Sequence, residues 1–309
     1  MLEKFKIGHY TDSENKTGVT VIICEDGAVG GVSVRGAAPA TRETDLLSPT
    51  KTVEQVNAVV LSGGSAFGLE ASCGVVDYLF RHKIGYNAGA YKVPIVCGAS
   101  LYDLENGKFA YPDKEAGYRA AENAKKDNFV AGAIGAGTGA TCGKALGIKR
   151  SMQSGLGVCK AKLFGVSVAV VVAVNPVGDI VKDGEIIGGA KIGKKFVSTL
   201  SLIEKVSGFH EANTTIGCII TDAKLTKAQC NALADVAHDG YAMAISPSHT
   251  PFDGDAIFCL SSGNKKAAFF KLCAVVPEMV KRAVWSAIEG KAEELEIEES
   301  DIDEKTECI

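Results

Sequence analysis

Apolar residues follow two different spacings along this chain, and the two spacings alternate. Residues 55–61, 163–175 and 256–261 are short apolar runs rich in β-branched residues, which is typical of strands buried in a sheet. Residues 69–80 and 113–126 instead carry apolar side chains at helical spacing. Strands that alternate with helices in this way, with no obvious linker, predict an α/β fold in one interlocked domain over residues 1–309.

Glycine, proline and helix-capping residues within this pattern predict where several elements begin and end. Residues 17–34 read as a hairpin, because the Gly-rich segment 26–31 separates two β-branched runs. Thr226 begins a capping box, which predicts the start of a helix. Pro277 lies inside the helical pattern of residues 269–289 and predicts that this helix is interrupted or starts anew.

The sequence pattern changes at Asn213-Thr214 from a polar turn to a β-branched run. Asn213 suits a tight turn, because asparagine tolerates the left-handed backbone region that most residues avoid. Residues 214–221 are then rich in β-branched residues, so a hydroxyl residue stands first on a strand. One interpretation is an ordinary turn into a core strand. The other is a self-cleaving enzyme, in which the Thr214 hydroxyl attacks the preceding carbonyl and the released amine then serves that hydroxyl as its base.

Three other segments carry candidate chemistry. Residues 62–68 form a Gly-rich turn between a strand and a helix, which either binds an anion at the start of the helix or only packs tightly. Residues 131–141 are the most Gly-rich run, where small residues let the backbone approach a ligand or another strand. Asn175 precedes Pro176 and is therefore extended, and its amide either donates into a site or caps a turn.

Charge and length exclude several classes of protein. The 309 residues are 46% hydrophobic, without an apolar run of transmembrane length or a hydrophobic leader, so we expect a cytoplasmic protein that neither enters a membrane nor is exported. The net charge is −4, and the stretch 291–309 alone holds nine acidic residues and two lysines. That stretch reads as a solvated end or a frayed helix. Because the rest of the chain has no dense basic run, we expect no nucleic-acid partner.

Cysteine and histidine patterns predict neither disulfides nor metal. The ten cysteines form no Cys-x-x-Cys pair, and most stand in apolar runs, which indicates buried, reduced side chains. The five histidines have no metal-ligand spacing. We therefore expect neither a metal site nor a cofactor.

A set of motifs spread over the chain identifies a family. The motifs are Ser-Gly-Gly-Ser-Ala-Phe-Gly-Leu at 62–69, Val-Pro-Ile-Val at 93–96, Gly-Ala-Gly-Thr-Gly-Ala-Thr at 135–141, Asn-Thr-Thr-Ile-Gly at 213–217 and His-Thr-Pro-Phe-Asp-Gly-Asp at 249–255. Together they resemble the self-processing L-aminopeptidase/D-esterase family, which includes the β-peptidyl aminopeptidases. The resemblance extends from about residue 8 to residue 290.

The resemblance implies a fold and an architecture. The fold is a four-layer α/β/β/α sandwich, which the family shares with the ornithine acetyltransferases. Cleavage between Asn213 and Thr214 would give an α chain of residues 1–213 and a β chain of residues 214–309. The processed pairs are expected to assemble as a homotetramer and to act on a small peptide or an aminoacyl amide or ester.

The resemblance also implies roles for single residues. Thr214 is the nucleophile, where aminopeptidase relatives usually have serine. Asn175 donates to the oxyanion of the tetrahedral intermediate. Asp255 takes the acidic role, orienting the Thr214 amine and anchoring the substrate ammonium, whereas Asp253 replaces a hydroxyl group of the relatives. Further oxyanion or substrate-binding candidates are Thr138, Gly139, Ser65 and Phe67.

Three functions remain open on the sequence. The first is a hydrolase that releases amino-terminal amino acids through an acyl-Thr214 intermediate. The second is an acyltransferase of the ornithine acetyltransferase type, although the junction Asn-Thr-Thr-Ile-Gly differs from the Ala-Thr-Met-Leu-like junction of those relatives. The third is an uncleaved homologue that only binds a ligand.

Overall fold

A computed structural model describes residues 2–203 and 213–296. Its strands are β1 (Phe5–Asp12), β2 (Thr17–Val34), β3 (Thr41–Arg42), β4 (Gln55–Ser62), β5 (Tyr86–Asn87), β6 (Lys92–Val93), β7 (Val96–Ser100), β8 (Thr141–Cys142), β9 (Met152–Gln153), β10 (Leu156–Leu163), β11 (Val166–Asn175), β12 (Asp179–Lys182), β13 (Glu185–Gly188), β14 (Lys191–Ile192), β15 (Lys195–Phe196), β16 (Thr214–Ala223), β17 (Ile245–Ser246), β18 (Ala256–Lys265) and β19 (Glu293–Leu295). The helices are α1 (Ser65–Gly68), α2 (Ala71–Arg81), α3 (Lys114–Glu122), α4 (Thr199–Leu202), α5 (Lys227–Ala244) and α6 (Phe269–Glu289), with 3₁₀ turns at Asp45–Leu47, Gly135–Gly137 and Ile148–Arg150.

One mixed sheet contains most of the long strands. Its order is β19-β10-β11-β16-β18-β2-β4-β7-β3, and β1 pairs with β2 beside this path. The pairs β16–β18, β4–β7 and β10–β19 are parallel, and the other neighbours are antiparallel. Strands from both sides of the Asn213–Thr214 bond therefore interleave in the same sheet.

Strand β2 connects the two halves of that sheet. Its carboxyl-terminal part pairs with β18, its amino-terminal part pairs with β4, and the β2–β4 register shifts between Ile23 and Ala28. Gly27 has φ +83° at this irregularity, a conformation that glycine adopts without steric cost. The predicted hairpin is therefore wrong: the Gly-rich segment bends one continuous strand instead of reversing the chain.

Three hydrophobic cores show that the sheet folds into two layers covered by helices. In β11, Val170 and Val172 pack in a core with α5 and α6, while Val171 and Ala173 point to the opposite face. That second core lies between the two sheet layers, and a third core packs β2 and β4 against α2 and α3. Because successive side chains of a strand alternate between faces, three cores correspond to four layers. The predicted α/β/β/α sandwich is confirmed.

Helices α5 and α6 cover one outer face. Helix α5 begins with the complete capping box at Thr226 that the sequence predicts. Helix α6 runs without a break through Pro277, so the predicted interruption is wrong. A Cβ atom on Gly240 would meet the carbonyl oxygen of Pro277 at 2.4 Å, so α5 approaches α6 closely there. This packing stabilises the helix across the proline.

The topology gathers several strand ends at one edge. Strand β11 ends at Asn175 and pairs in register with Thr214, where the antiparallel β16 begins. Strand β18 runs parallel to β16 and begins directly after Asp255. Residues 189–203 contain β14, β15 and α4. Residues 204–212, which include part of the turn before Thr214, and the residues beyond 296 lie outside the described residues. The prediction of a solvated end or frayed helix over residues 291–309 is wrong for Glu293–Leu295, which forms strand β19.

Candidate active site

Thr214 lies at the first position of β16, buried with 4% of its surface exposed. Its hydroxyl donates to the carbonyl oxygen of Asn213, the residue on the other side of the predicted scissile bond. That carbonyl oxygen also accepts a hydrogen bond from the Gly254 amide, at 2.9 Å, and the Asn213 amide donates to the Phe252 carbonyl at 3.2 Å. The segment before β18 therefore holds Asn213 through both its backbone N–H and its carbonyl oxygen, the latter being part of the Asn213–Thr214 peptide.

Both carboxylate oxygens of Asp255 have hydrogen-bond partners. The Thr215 amide donates to Oδ1 at 2.7 Å, and Nδ1 of His249 lies 2.8 Å from Oδ2. Burial alone would lower the pKa of His249, but its hydrogen bond to Asp255 and the charge of that carboxylate outweigh burial and raise the pKa. Asp255 is thus fixed beside the residue that follows Thr214.

Asp253 is the second buried carboxylate of the same segment. Its Oδ2 accepts from the Thr250 amide at 2.8 Å and from the Thr250 hydroxyl at 2.5 Å. Among the described residues, its Oδ1 is buried and has no hydrogen-bond partner. Burial, reinforced by the nearby charge of Asp255, raises the pKa of Asp253 to about 6. This carboxyl group can therefore change protonation near neutral pH.

Asn175 is held at the end of β11 by a lysine that the sequence analysis missed. Lys144 Nζ donates to the Asn175 side-chain oxygen at 2.7 Å and to its backbone oxygen at 2.9 Å. The Thr141 amide donates to the same side-chain oxygen at 3.0 Å. The Asn175 side-chain nitrogen donates to the Tyr102 carbonyl at 2.9 Å, so one of its two N–H groups is already engaged.

Lys144 is a buried amine close to the carboxylates. Burial lowers its pKa to about 7, although the charge of Asp253 opposes this effect. A neutral amine has two N–H groups and one lone pair. Because the two N–H groups would suffice for the two Asn175 oxygens, the lone pair could accept a proton. The sequence signal that could have identified Lys144 is that it is the first charged residue after the Gly-rich run 131–141.

The Gly-rich run packs closely beside the site, and the Thr138 amide, one of the two donors expected there, is already engaged. The Thr138 amide donates to the Gly135 carbonyl at 3.0 Å. A Cβ atom on Gly139 would meet the Lys16 carbonyl oxygen at 1.9 Å, so glycine is needed for this close packing. The run reaches the Thr214 group through the Thr141 amide and its bond to Asn175.

Ser65 and Phe67 lie on α1, apart from the Thr214 group. In the part of the chain that the structure describes, no hydrogen bond joins either residue to Thr214. Phe67 is 54% exposed, stacks on Tyr111 at 5.2 Å between ring centroids and contacts Phe109 at 5.9 Å. Phe67 therefore belongs to an exposed aromatic cluster, whereas the half-buried Ser65 donates its amide to the Leu101 carbonyl at 2.8 Å.

A small pocket adjoins Lys144 and has an acidic lining. Asp103 and Glu105 line it together with Tyr102 and Thr141. Burial raises the pKa of Asp103 to about 6, although the hydrogen bond from the Gly64 amide opposes this effect. Lys144 lines the same pocket, so acidic and basic groups face each other across it.

The described residues contain neither a group of metal-binding side chains nor a membrane-spanning helix. Over residues 2–203 and 213–296, no three His, Cys, Asp or Glu side chains are grouped so that they could hold a metal ion. Within the same ranges, no helix combines the length and apolar character needed to cross a membrane.

Comparison with known proteins places the chain in a family. The model of Peptidase family S58 matches residues 3–300. An uncharacterized aminopeptidase of Mycobacterium tuberculosis is 38% identical over 280 residues, which cover 84% of this chain and 79% of that protein. A 6-aminohexanoate-oligomer endohydrolase of Paenarthrobacter ureafaciens is 33% identical over 264 residues, covering 82% of this chain and 71% of that protein.

A solved structure agrees with the fold. The L-aminopeptidase D-Ala-esterase/amidase from Ochrobactrum anthropi, described as a variant of the amino-terminal-nucleophile (Ntn) hydrolase fold, superposes with a TM-score of 0.70. The superposition covers 92% of this chain and 83% of that chain, at 17% sequence identity. The chain therefore belongs to peptidase family S58 and is an aminopeptidase-type hydrolase with an Ntn-like fold, as the resemblance predicted.

Proposed function

We propose that this hydrolase processes itself at Asn213–Thr214 and then uses Thr214 as an amino-terminal nucleophile. The observation that carries the proposal is the buried contact between the Thr214 hydroxyl and the Asn213 carbonyl. The Gly254 amide donates to that same carbonyl oxygen. The first contact brings the Thr214 hydroxyl beside the carbonyl that it would attack, and the backbone N–H polarises that carbonyl.

Self-cleavage would begin with an acyl shift from nitrogen to oxygen. The Thr214 oxygen attacks the Asn213 carbonyl carbon, its proton passes to a nearby base, and the Gly254 N–H stabilises the resulting oxyanion. The C–N bond then breaks as the nitrogen takes up a proton, leaving an ester between Asn213 and Thr214. Water hydrolyses this ester to give a new carboxylate on Asn213, a free Thr214 hydroxyl and a free Thr214 amine.

Lys144 and Asp253 are the proposed proton carriers around this step. The pKa of Lys144, about 7, lets the amine accept a proton near neutral pH. Asp253, with a pKa of about 6 and an unpartnered Oδ1 in the described part of the chain, would bind the Thr214 ammonium once cleavage creates it. This assignment gives Asp253 a role that the hydroxyl of the relatives could not fill.

Hydrolysis of a substrate would repeat the same chemistry. The substrate carbonyl takes the place of the Asn213 carbonyl, the Thr214 amine removes the hydroxyl proton, and the leaving amine departs from an acyl-Thr214 ester that water resolves. Because one Asn175 N–H is engaged by Tyr102, its contribution to the oxyanion rests on the second N–H. The Gly254 amide is therefore the principal donor in this proposal.

Asp255 and a small pocket are the two candidate sites for a substrate ammonium. Each oxygen of Asp255 has one hydrogen-bond partner and keeps acceptor capacity, so Asp255 stays the predicted anchor. Asp103 and Glu105, in the small pocket that Lys144 also lines, are a second pair of acidic groups. We therefore propose aminoacyl amides and esters as the substrate class, with oligomers of 6-aminohexanoate, which also carry a terminal amine, as a second class to assay because of the endohydrolase relatives.

The alternative functions and the assembly are open to the same experiments. Transfer of the acyl group to ornithine or glutamate would identify an acyltransferase, whereas absence of both cleavage and acyl-enzyme would identify a ligand-binding homologue. We propose that the processed chains 1–213 and 214–309 form a homotetramer of pairs, which sedimentation velocity measures.

The test is turnover of α-, β- and D-aminoacyl amides and of 6-aminohexanoate oligomers by wild type and by Thr214→Ala. We expect hydrolysis by the wild type, an acyl adduct on Thr214 after rapid acid quench, and neither in the variant. Thr226→Ala, the same change at a helix cap, should retain full turnover. Hydrolysis that survives Thr214→Ala would overturn the proposal.

A further inference from the structure

The backbone amides of Arg35, Gly36 and Ala38 lie against the loop that carries Gly254 and have no role in the mechanism above. We propose that these three amides position the Gly254 N–H for catalysis, with Ala38 as the positioning residue. The inference rests on the proposed function, because it concerns the N–H group that donates to the oxyanion there. Three backbone hydrogen bonds and one close packing contact carry it.

The three amides hold the loop just before and just after Gly254. The Ala38 N–H donates to the Asp253 carbonyl at 3.1 Å. The N–H groups of residues 35 and 36 both donate to the Asp255 carbonyl, each at 3.0 Å. Gly254 is buried, whereas Ala38 is exposed. These bonds therefore join the buried loop to a segment on the surface.

One peptide plane connects the Ala38 contact to the oxyanion donor. The Asp253 carbonyl and the Gly254 N–H belong to the same planar trans peptide, so they point in opposite directions. Ala38 holds the carbonyl end of this plane, and the N–H end donates to the Asn213 carbonyl at 2.9 Å. The bond from Ala38 therefore fixes the direction in which the Gly254 N–H points.

Self-cleavage would remove the other restraint on this peptide. In the uncleaved chain the Asn213 carbonyl accepts from the Gly254 N–H, and the Asn213 N–H donates to the Phe252 carbonyl at 3.2 Å. After cleavage, a substrate carbonyl must take the place of the Asn213 carbonyl. Among the described residues, Ala38 is then the one hydrogen-bond donor to the 253–254 peptide. A donor that is already oriented costs no reorganisation during the reaction.

The sheet fixes the chain on both sides of these amides. Before them, Val34 at the end of β2 pairs with Ala256 of β18. After them, the Ala40 carbonyl accepts from the Ser100 N–H at 2.9 Å, and Thr41 begins β3, which pairs with β7. Because groups held by rigid elements keep their geometry best, this short connection is suited to orienting a catalytic N–H.

Close packing brings the same connection beside the nucleophile. A Cβ atom on Gly36 would meet the Asp255 nitrogen at 2.1 Å and the Gly254 carbonyl carbon at 2.4 Å, so only glycine allows this approach. A Cβ atom on Gly254 would meet the Ala38 carbonyl oxygen at 2.6 Å and the Thr214 hydroxyl oxygen at 2.9 Å. The Ala38 backbone and the reacting hydroxyl therefore lie on the same side of Gly254.

The experiment compares Ala38→Pro with wild type in self-cleavage and in turnover of an aminoacyl amide that the wild type hydrolyses. Proline has no N–H, so the change removes the bond to Asp253 at a position whose side chain is exposed. Because Asn213 holds the Gly254 N–H before cleavage, self-cleavage should stay within about threefold of wild type. We expect kcat to fall by about 10- to 100-fold with KM within about threefold, since a donor misplaced by about 1 Å costs about this much.

A second measurement reports on the oxyanion donor directly. An aminoalkyl boronic acid forms a tetrahedral anion with the Thr214 hydroxyl, which resembles the transition state. Its affinity for the cleaved Ala38→Pro enzyme should fall by the same factor as kcat/KM. An unchanged affinity would show that the lost activity does not come from the oxyanion donor and would overturn the inference.

Ala37→Pro is the control, because it makes the same change one residue earlier, where the N–H donates to none of the described residues. It should keep turnover within about twofold of wild type. Gly36→Ala pushes the connection away from the loop and should reproduce the Ala38→Pro pattern, so either variant that folds decides the matter.

Two results of the rate comparison would contradict the inference. One is wild-type turnover by an Ala38→Pro enzyme that folds and cleaves itself. The other is a loss of self-cleavage as large as the loss of turnover, which a purely structural role of Ala38 predicts. Both leave the proposed function intact, whereas a wild-type chain that never cleaves itself would refute that function instead.

Discussion

Replacement of Lys144 by methionine should abolish catalysis and stabilise the fold near neutral pH. The burial that lowers the pKa of Lys144 from 10.5 to about 7 gives this amine its proposed role and also destabilises the folded state. Between these two pH values the unfolded chain binds more protons than the folded chain, so this group makes stability rise with pH. Methionine fills a similar volume without a charge to bury.

The magnitude follows from the pKa shift and the two lost hydrogen bonds. A pH of 7.5 is three units below the pKa of Lys144 in the unfolded chain, so the amine is protonated there but largely neutral in the folded chain. This difference lowers the free energy of unfolding by about 4 kcal/mol. Methionine removes the bonds to Asn175 and leaves its backbone carbonyl without this donor, which costs about 1–3 kcal/mol. We expect a net gain of about 1–3 kcal/mol at pH 7.5. At pH 10, where the burial cost is only about 1 kcal/mol, the gain should vanish or reverse.

The assay compares unfolding in urea at pH 7.5 and pH 10. Both proteins carry Thr214→Ala, so that each remains one chain and self-cleavage does not enter the comparison. The Lys144→Met change should raise the free energy of unfolding at the lower pH and lose that advantage at the higher pH. A destabilisation at pH 7.5, or a difference that does not vary with pH, would refute the assignment of a low pKa to Lys144.

Three further outcomes are expected. Hydrolysis by wild type should increase from pH 5 to pH 7, because Asp253, the proposed partner of the Thr214 ammonium, ionises at about 6, and self-cleavage should increase through pH 7, because Lys144 loses its proton at about 7; a flat profile of either rate would exclude the corresponding group from that step. Gly254→Ala places a methyl group 2.6 Å from the Ala38 carbonyl oxygen and 2.9 Å from the Thr214 hydroxyl oxygen, so the segment that carries the 254 amide must shift and self-cleavage should slow by about 100-fold on electrophoresis; unchanged cleavage would show that the position of this segment does not control the reaction. Thr226→Ala should cost about 1 kcal/mol in urea unfolding without altering turnover, and a loss of turnover would show that this cap acts on the site.

The local features of the fold could be predicted because they depend on neighbouring residues. The β-branched run that begins at Thr214 and the capping box at Thr226 both form as the sequence indicates. The bend at Gly27 and the continuous helix through Pro277 could not be predicted. Each depends on partners distant in sequence, namely the strands that flank β2 and the helix that packs at Gly240.

In the candidate site, too, the features that depend on residues distant in sequence could not be predicted. The motifs located Asn175, Asp253 and Asp255, but their partners arise only when strand ends meet at one edge of the sheet. Lys144 escaped notice because its importance comes from burial against Asn175, 31 residues further along the chain. For the same reason the hydrogen bonds of Asp255 with the Thr215 amide and with His249 could not be foreseen.

The central claim is that the Asn213–Thr214 bond is cut to create the nucleophile. Intact mass and amino-terminal sequencing of purified protein measure this directly, with Thr214→Ala as the control. The account predicts two chains in the wild type, the second beginning at Thr214, and a single chain in the variant. A wild-type protein that remains one chain while it hydrolyses aminoacyl amides would contradict it.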